Sequence, residues 1–410
     1  MAKPAKSGSS SSEFIDIGAI DRYLAEHGSF TVLDWLLAQG TLPYAEYAAW
    51  REGRRETLDD AVPLPAADLD RLLAEADRGA KALNLAAEPQ DLLAWAGSGA
   101  EPLRASKRAE AHRRLLQQWR RAAEAPQFDL FMDNAAGMAE RRLCEAIGGR
   151  RYDEAARELD ALSRLDPANK SLGSYQDLIN YGRHAQAPVA VAAAELRAEL
   201  DGLEHEVQPL ARSLLAAAAR DYLGFAWQRL AKGLGALPEE ARDERLHPSH
   251  ALAQIPDWEG VRASLAAEPR LLQSPRWMQR LARACRATGK AELGLLWWLL
   301  CLDRHAQDSA AILKQCDDPA LLRLLGDYTD LEHRTQREMP EHGFPAFVLL
   351  RRPGLIQHLE ALPPLQRAEN RLVLQLIEAR RQGADEIALR KALAEIDPAL
   401  LAMYLDVRGR

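Results

Sequence analysis

Apolar residues recur three and four positions apart in almost every segment of this chain. From Leu196 the series Leu200, Leu203, Val207, Leu210 and Leu214 keeps that spacing without a break. Residues so spaced share one side of a helix, whereas a strand would send them to both faces. The alternation of four and three is also the seam of a packed helix pair. Leu, Ala, Arg and Glu dominate, and β-branched residues are sparse. The nearest candidate for a strand, Phe347-Val-Leu-Leu350, is short. The expected fold class is therefore all-α. Pro209 lies inside the leucine series and is expected to kink or split its helix, because it lacks an N–H and crowds the carbonyl four residues back.

Hydrophobic residues make up 47% of the 410 residues and charged residues 28%, which suits a globular chain of roughly two or three domains. The net charge of -7 and pI near 5.9 argue against broad binding to nucleic acid or to an anionic membrane surface. Cys144, Cys285, Cys301 and Cys316 form no C-x-x-C pair, so they fit neither a disulfide framework nor a zinc ribbon. A reducing cytoplasm is the natural compartment. Residues 1–13 open with MAKPAKSGSSSS, a polar, Ser-rich stretch expected to be a disordered tail and lacking the apolar core of a signal peptide. The most apolar run, Leu295-Leu-Trp-Trp-Leu-Leu-Cys-Leu302, belongs to an uncharged stretch of about ten residues, half of the ~20 a membrane helix requires.

Residues 14–126 form an expected N-terminal helical domain. Within it, Thr31 to Gly40 is an amphipathic helix stopped by glycine, and Pro43 suits the first turn of the next helix. Tyr44, Tyr47 and Trp50 then fall three apart on one face. This helix–turn–helix carries Glu46 and Glu52, which oppose a phosphate backbone, so its aromatics are expected to build core rather than to read bases. The segment Arg104 to Glu124 is expected to be a helix with seven Arg/Lys against two Glu. It is either a basic strip for RNA, DNA or an acidic protein or a solvated face whose long stems cover apolar surface, and the second is preferred. A boundary is placed where the periodicity breaks, after residue 126. Glu204-His205-Glu206 is read as a solvated face. Residues 237–256 are Pro-rich and polar, a connection between helical groups.

Within 127–410, two segments resemble the tetratricopeptide repeat, an antiparallel helix pair of about 34 residues. In Met138 to Asn169, the stretch Tyr152 to Pro167 resembles the second helix of the repeat. Ala155 takes the small contact position, Leu159 the large one and Pro167 the exit, while Leu143, Cys144 and Ile147 fit the first helix. In Arg276 to Ala306, Met278, Leu281, Ala282 and Cys285 match the first helix, Gly289-Lys290 the turn, and Gly294, Trp298 and Cys301 the second helix. The exit proline is replaced by Ala306. A looser third candidate runs from Leu372 to Pro398, with Gly383 at its turn. Together they cover about a quarter of the chain at uneven spacing. The resemblance implies an α-solenoid-like body of helical hairpins with a concave surface lined by first helices. That surface would carry Arg276, Gln279, Arg283 and Arg286, with Arg141 as the equivalent on the first hairpin. Such a basic strip suits an acidic peptide or a terminal carboxylate, since a guanidinium pairs two oxygens at once; the alternative is a surface arginine row held by water and neighbouring Glu.

No phosphate-binding glycine loop, dinucleotide fingerprint, H-E-x-x-H, G-x-S-x-G or EF-hand motif occurs. His247 and His250 flank a proline turn near Asp257 and Glu259. They read either as metal ligands of a helical hydrolase or as the start of a helix, and the second is preferred. Cys301 and His305, four apart, raise a thiol–imidazole pair, but Cys301 sits where a hairpin needs a small buried residue. The expectation is a non-enzymatic scaffold that binds a partner protein or acidic peptide. Alternatives are a nucleic-acid-associated regulator using the helix–turn–helix and the 104–121 helix, and a metal-dependent hydrolase at His247/His250. No cofactor, membrane contact or nucleic acid is expected, and the oligomeric state is left open.

Overall fold

The computed structural model describes residues 15–95, 101–121, 132–189, 192–216, 218–336, 339 and 341–408. The expected tail and the boundary at 126 lie outside these residues. Two compact units emerge, residues 1–241 with 254–257, and residues 242–253 with 258–410. Both are helical, as the periodicity requires, and among the described residues no helix is long and apolar enough to cross a membrane.

The first unit begins with α1 (Ile17–His27), α2 (Val32–Ala38), α3 (Tyr44–Arg51) and α4 (Ala66–Ala82). Thr31 caps α2 by accepting the Asp34 N–H at 2.9 Å, and Gly40, at φ 72°, turns the chain away from its end. Tyr44, Tyr47 and Trp50 are buried, so the aromatic face of α3 is core. The segment after α4 departs from the sequence reading. In place of one basic helix over 104–124, the chain forms α5 (Ala109–Leu115) and then a strand, β2 (Gln117–Arg121), antiparallel to β1 (Leu85–Pro89). Trp119 pairs with Ala87 on one side and bridges to Phe30 on the other. Backbone pairing of Trp119 on both sides, with its side chain buried, decides for a strand where local propensity favoured a helix.

The unit continues through α6 (Met132–Gly148), α7 (Tyr152–Leu165), α8 (Leu172–Ala185), α9 (Ala193–Gly202), α10 (Gln208–Leu215) and α11 (Ala218–Ala236). The first repeat-like segment spans α6 and α7, which pack on each other across Leu143, Ile147, Ala155 and Leu159, all buried. The leucine series runs through α9 and α10, and Pro209 is accommodated by a π turn at Leu203–Val207. A widened turn supplies the room that the ring and its missing N–H demand.

The second unit holds α12 (Pro248–Gln254, its last residue assigned to the first unit), α13 (Trp258–Ala266), α14 (Pro275–Ala287), α15 (Ala291–Arg304), α16 (Ser309–Lys314), α17 (Pro319–Thr335), α18 (Phe344–Arg351), α19 (Ile356–Leu359), α20 (Ala368–Gln382), α21 (Ile387–Ile396) and α22 (Pro398–Arg408). The apolar run lies in α15, where every residue from Gly294 to Asp303 is buried. It forms the middle of a core that runs from Val261 to Tyr404. Phe347-Val-Leu-Leu350, the nearest candidate for a strand, lies in α18. A Cβ added to Gly294 would stand 2.7 Å from the Ala282 carbonyl oxygen, so α14 and α15 approach at a point only glycine permits. The third repeat-like segment spans α20 and α21, with Gly383 at φ 69° ending α20.

Candidate partner-binding surface

Helix α14 is the element on which the basic strip was expected. Pro275 occupies its first turn, Ser274 caps it by accepting the Trp277 N–H at 3.2 Å, and Gly289 at φ 76° lies past its end. Trp277, Met278, Leu281, Ala282, Ala284 and Cys285 are buried. What remains for solvent between the helix ends is a narrow stripe at spacings of four and three, namely Arg276, Arg280, Arg283 and Arg286.

The five expected residues separate. Arg276, Arg283 and Arg286 stand on α14, the first exposed and the other two half-buried. Gln279 is only 6% exposed and belongs to the packed side of the helix. Arg141 is exposed on α6 and belongs to the first unit. Arg280 was missed, although its position between Arg276 and Arg283 completes the stripe. It is the best-held of the three, donating to the Glu244 carbonyl at 2.6 Å, to His250 Nδ1 at 3.0 Å and to Ser249 Oγ at 3.4 Å. Glu244 also accepts from Ser274 Oγ at 2.5 Å and stands 3.4 Å from Arg276 Nε. At the other end, Arg283 donates to Asp317 at 3.1 Å and to the Gln315 carbonyl at 2.8 Å. The polar connection over 237–256 thus supplies Glu244, Ser249 and His250, which orient Arg276 and Arg280.

The same connection fixes the two histidines. His247, 1% exposed, caps α12: its Nδ1 accepts the Ser249 N–H at 3.1 Å and lies 2.8 Å from Ser249 Oγ. With Nδ1 an acceptor, the proton sits on Nε2, 3.7 Å from the buried Glu268 carboxylate. Burial depresses the imidazole to about 4, against the pull of Glu268 and with the help of Arg280, Arg242 and Arg270. His250 Nδ1 meets Arg280. The two imidazoles therefore do structural work at the start of a helix. Cys301 and His305 also part company, the thiol to the Pro275 carbonyl at 3.7 Å and the ring to the Leu272 carbonyl at 3.2 Å. Burial pushes the Cys301 thiol up to about 12, which keeps it in its unreactive protonated form.

Elsewhere, the π turn gathers Asp201, Glu204 and His205 so that one ligand atom from each lies within 4.8 Å of the others. Glu204, half-buried, and His205, exposed, thus approach Asp201 on a face that meets solvent. The His205 Nδ1 also bonds the Asp201 carbonyl at 2.9 Å. Around α5 and β2, Arg108 at the cap of α5 pairs with Asp70 at 2.7 Å, Arg114 with Glu110 at 2.7 Å and Arg121 with Asp21 at 2.7 Å. The first unit also holds a buried charge cluster. Asp221 pairs with Arg51 and accepts from Tyr47 Oη at 2.6 Å, and Arg220 pairs with Asp34. Burial alone would raise the Asp221 carboxyl, but Arg51 and Arg220 beside it hold it below the usual carboxylate value.

Compared with protein-family models, curated proteins and solved structures, the chain matches none.

Proposed function

We propose that this chain is a non-enzymatic interaction scaffold that holds an acidic segment of a partner protein against α14. The observation that carries this reading is the stripe on α14, in which Arg276, Arg280 and Arg283 are oriented from behind by Glu244, Ser249, His250 and Asp317. Guanidinium groups already held in place lose little further freedom when a carboxylate arrives, so more of each charge-assisted bond survives as affinity. Glu244 and Asp317 are partly exposed, at 34% and 51% of their side chains, so an incoming acidic side chain can exchange with them without uncovering a buried charge.

Capture from a cell lysate on the immobilised chain, read by mass spectrometry, is expected to yield a stoichiometric protein partner. The double charge reversal Arg283→Glu/Arg286→Glu is expected to abolish that capture while far-UV circular dichroism stays unchanged. Equal capture by the two proteins would refute the proposal.

A further inference from the structure

A shallow pocket of about 370 Å³ opens on the second unit, lined by Ala320, Arg323, Leu324 and Asp327 of α17 and by Arg351 and Arg352 at the end of α18. Its charges do not balance. Three guanidinium groups meet one carboxylate, and that carboxylate, Asp327, is 3.5 Å from Arg351. Among the described residues, the side chains of Arg323 and Arg352 make no hydrogen bond or ion pair. The lining thus carries a surplus of two positive charges (three guanidinium groups less one carboxylate), which a dianion neutralises and a single carboxylate does not. A phosphate group offers two charges and enough oxygens for two guanidinium forks.

A second, smaller pocket of about 140 Å³ shares Asp327 and Arg351 with the first and inverts its character. Asp327, Asp330 and Asp406 outnumber Arg334 and Arg351 there, beside Phe347 and Val407. Carboxylates accept hydrogen bonds and repel a second anion. One molecule that spans both pockets is therefore anionic at one end and rich in hydroxyl donors at the other.

We propose that α17 and α18 form a binding site for a small phosphate monoester with a hydroxylated organic part, its phosphate on Arg323 and Arg352 and its hydroxyls toward Asp327 and Asp330. The site is separate from the α14 stripe, and neither depends on the other.

Calorimetric titration of the full chain at low ionic strength and pH 8 tests it, with glycerol 3-phosphate, ethyl phosphate and inorganic phosphate as probes. The expected result is saturable one-site binding of glycerol 3-phosphate, severalfold tighter than either other probe. Arg323→Gln/Arg352→Gln, which alters exposed side chains only, is expected to weaken it about tenfold or more. Binding is also expected to weaken as pH falls through about 6, where the phosphate loses its second charge. Asp327→Asn is expected to erase the preference for glycerol 3-phosphate over ethyl phosphate while phosphate binding persists. No saturable heat, equal affinity for the three probes, or an unchanged affinity in the arginine variant overturns the assignment.

Discussion

Arg51–Asp221 in the first unit and Arg283–Asp317 in the second are the same chemical pair in opposite surroundings. The side chains of the first are 4% and 3% exposed, and those of the second 35% and 51%. The buried pair is enclosed by other charges and rings. Tyr47 donates to Asp221, and the Arg51 guanidinium stands 5.4 Å from the centroid of the Trp95 ring. The exposed pair has water as its alternative partner at all times. An ion pair cut off from water cannot be traded for another, whereas one at the surface can. The difference separates charge that holds a fold together from charge available to a ligand.

Removal of one buried partner is expected to have the largest effect. Asp221→Ala leaves Arg51 charged and enclosed, and it removes the acceptor of the Tyr47 hydroxyl as well. The expected loss is about 3–5 kcal/mol, the range for an uncompensated buried charge. Urea denaturation followed by circular dichroism measures it. A loss below about 1 kcal/mol would place Asp221 in the same class as Asp317 and dissolve the distinction.

A buried titratable group in the second unit extends the contrast to pH. A histidine in water titrates near 6.5, and His247 is held down at about 4. Between those values the unfolded chain takes up a proton that the folded chain refuses. Stability therefore declines as pH falls from about 6.5 to about 4 and levels off below. The shift of about 2.5 units, 6.5 less 4, corresponds to on the order of 3 kcal/mol over the whole window. His247→Asn keeps an acceptor at the cap of α12 and removes the titration. Its stability, measured by denaturation at pH 7, 5.5 and 4, is expected to fall less steeply with pH than that of the unaltered chain. Parallel slopes would mean that His247 is as open to protons as a surface residue.

Helical class was legible because it depends on local period. The spacing from Leu196 to Leu214 and the glycines at 40, 289 and 383 all act within one or two turns. What escaped was decided by distant residues. Nothing near Gln117-Gln-Trp-Arg-Arg121 announces that Leu85–Pro89 and Phe30 will lie on either side of it. One of the four positions expected on α14, Gln279, is buried, and its neighbour Arg280 meets solvent instead. Periodicity assigns a face to within about one position, and only the packing of α14 settles which neighbour reaches solvent. Glu244, thirty-two residues before Arg276, has no local mark of its role. Asp221 likewise looks like any helix-surface acid until Arg51, 170 residues away, is placed on it.

The smallest expected effect completes the comparison. A double-mutant cycle over Arg283→Ala and Asp317→Ala is expected to give a coupling of about 0–1 kcal/mol in stability, as for other solvent-exposed pairs. That coupling is expected to shrink further at 0.5 M salt, where exposed charges are screened over only a few ångströms. Binding by the same variants is expected to diverge. Arg283→Ala removes a fork that a partner's carboxylate would use, and Asp317→Ala removes the carboxylate that competes for it. The first should weaken partner capture, and the second should leave it equal or improve it. Stability and capture would then move independently at α14. At Asp221 no such separation is expected, because removing either partner of the buried pair lowers stability itself. If Asp317→Ala weakened capture as much as Arg283→Ala, the exposed pair would be acting as one structural unit, like its buried counterpart.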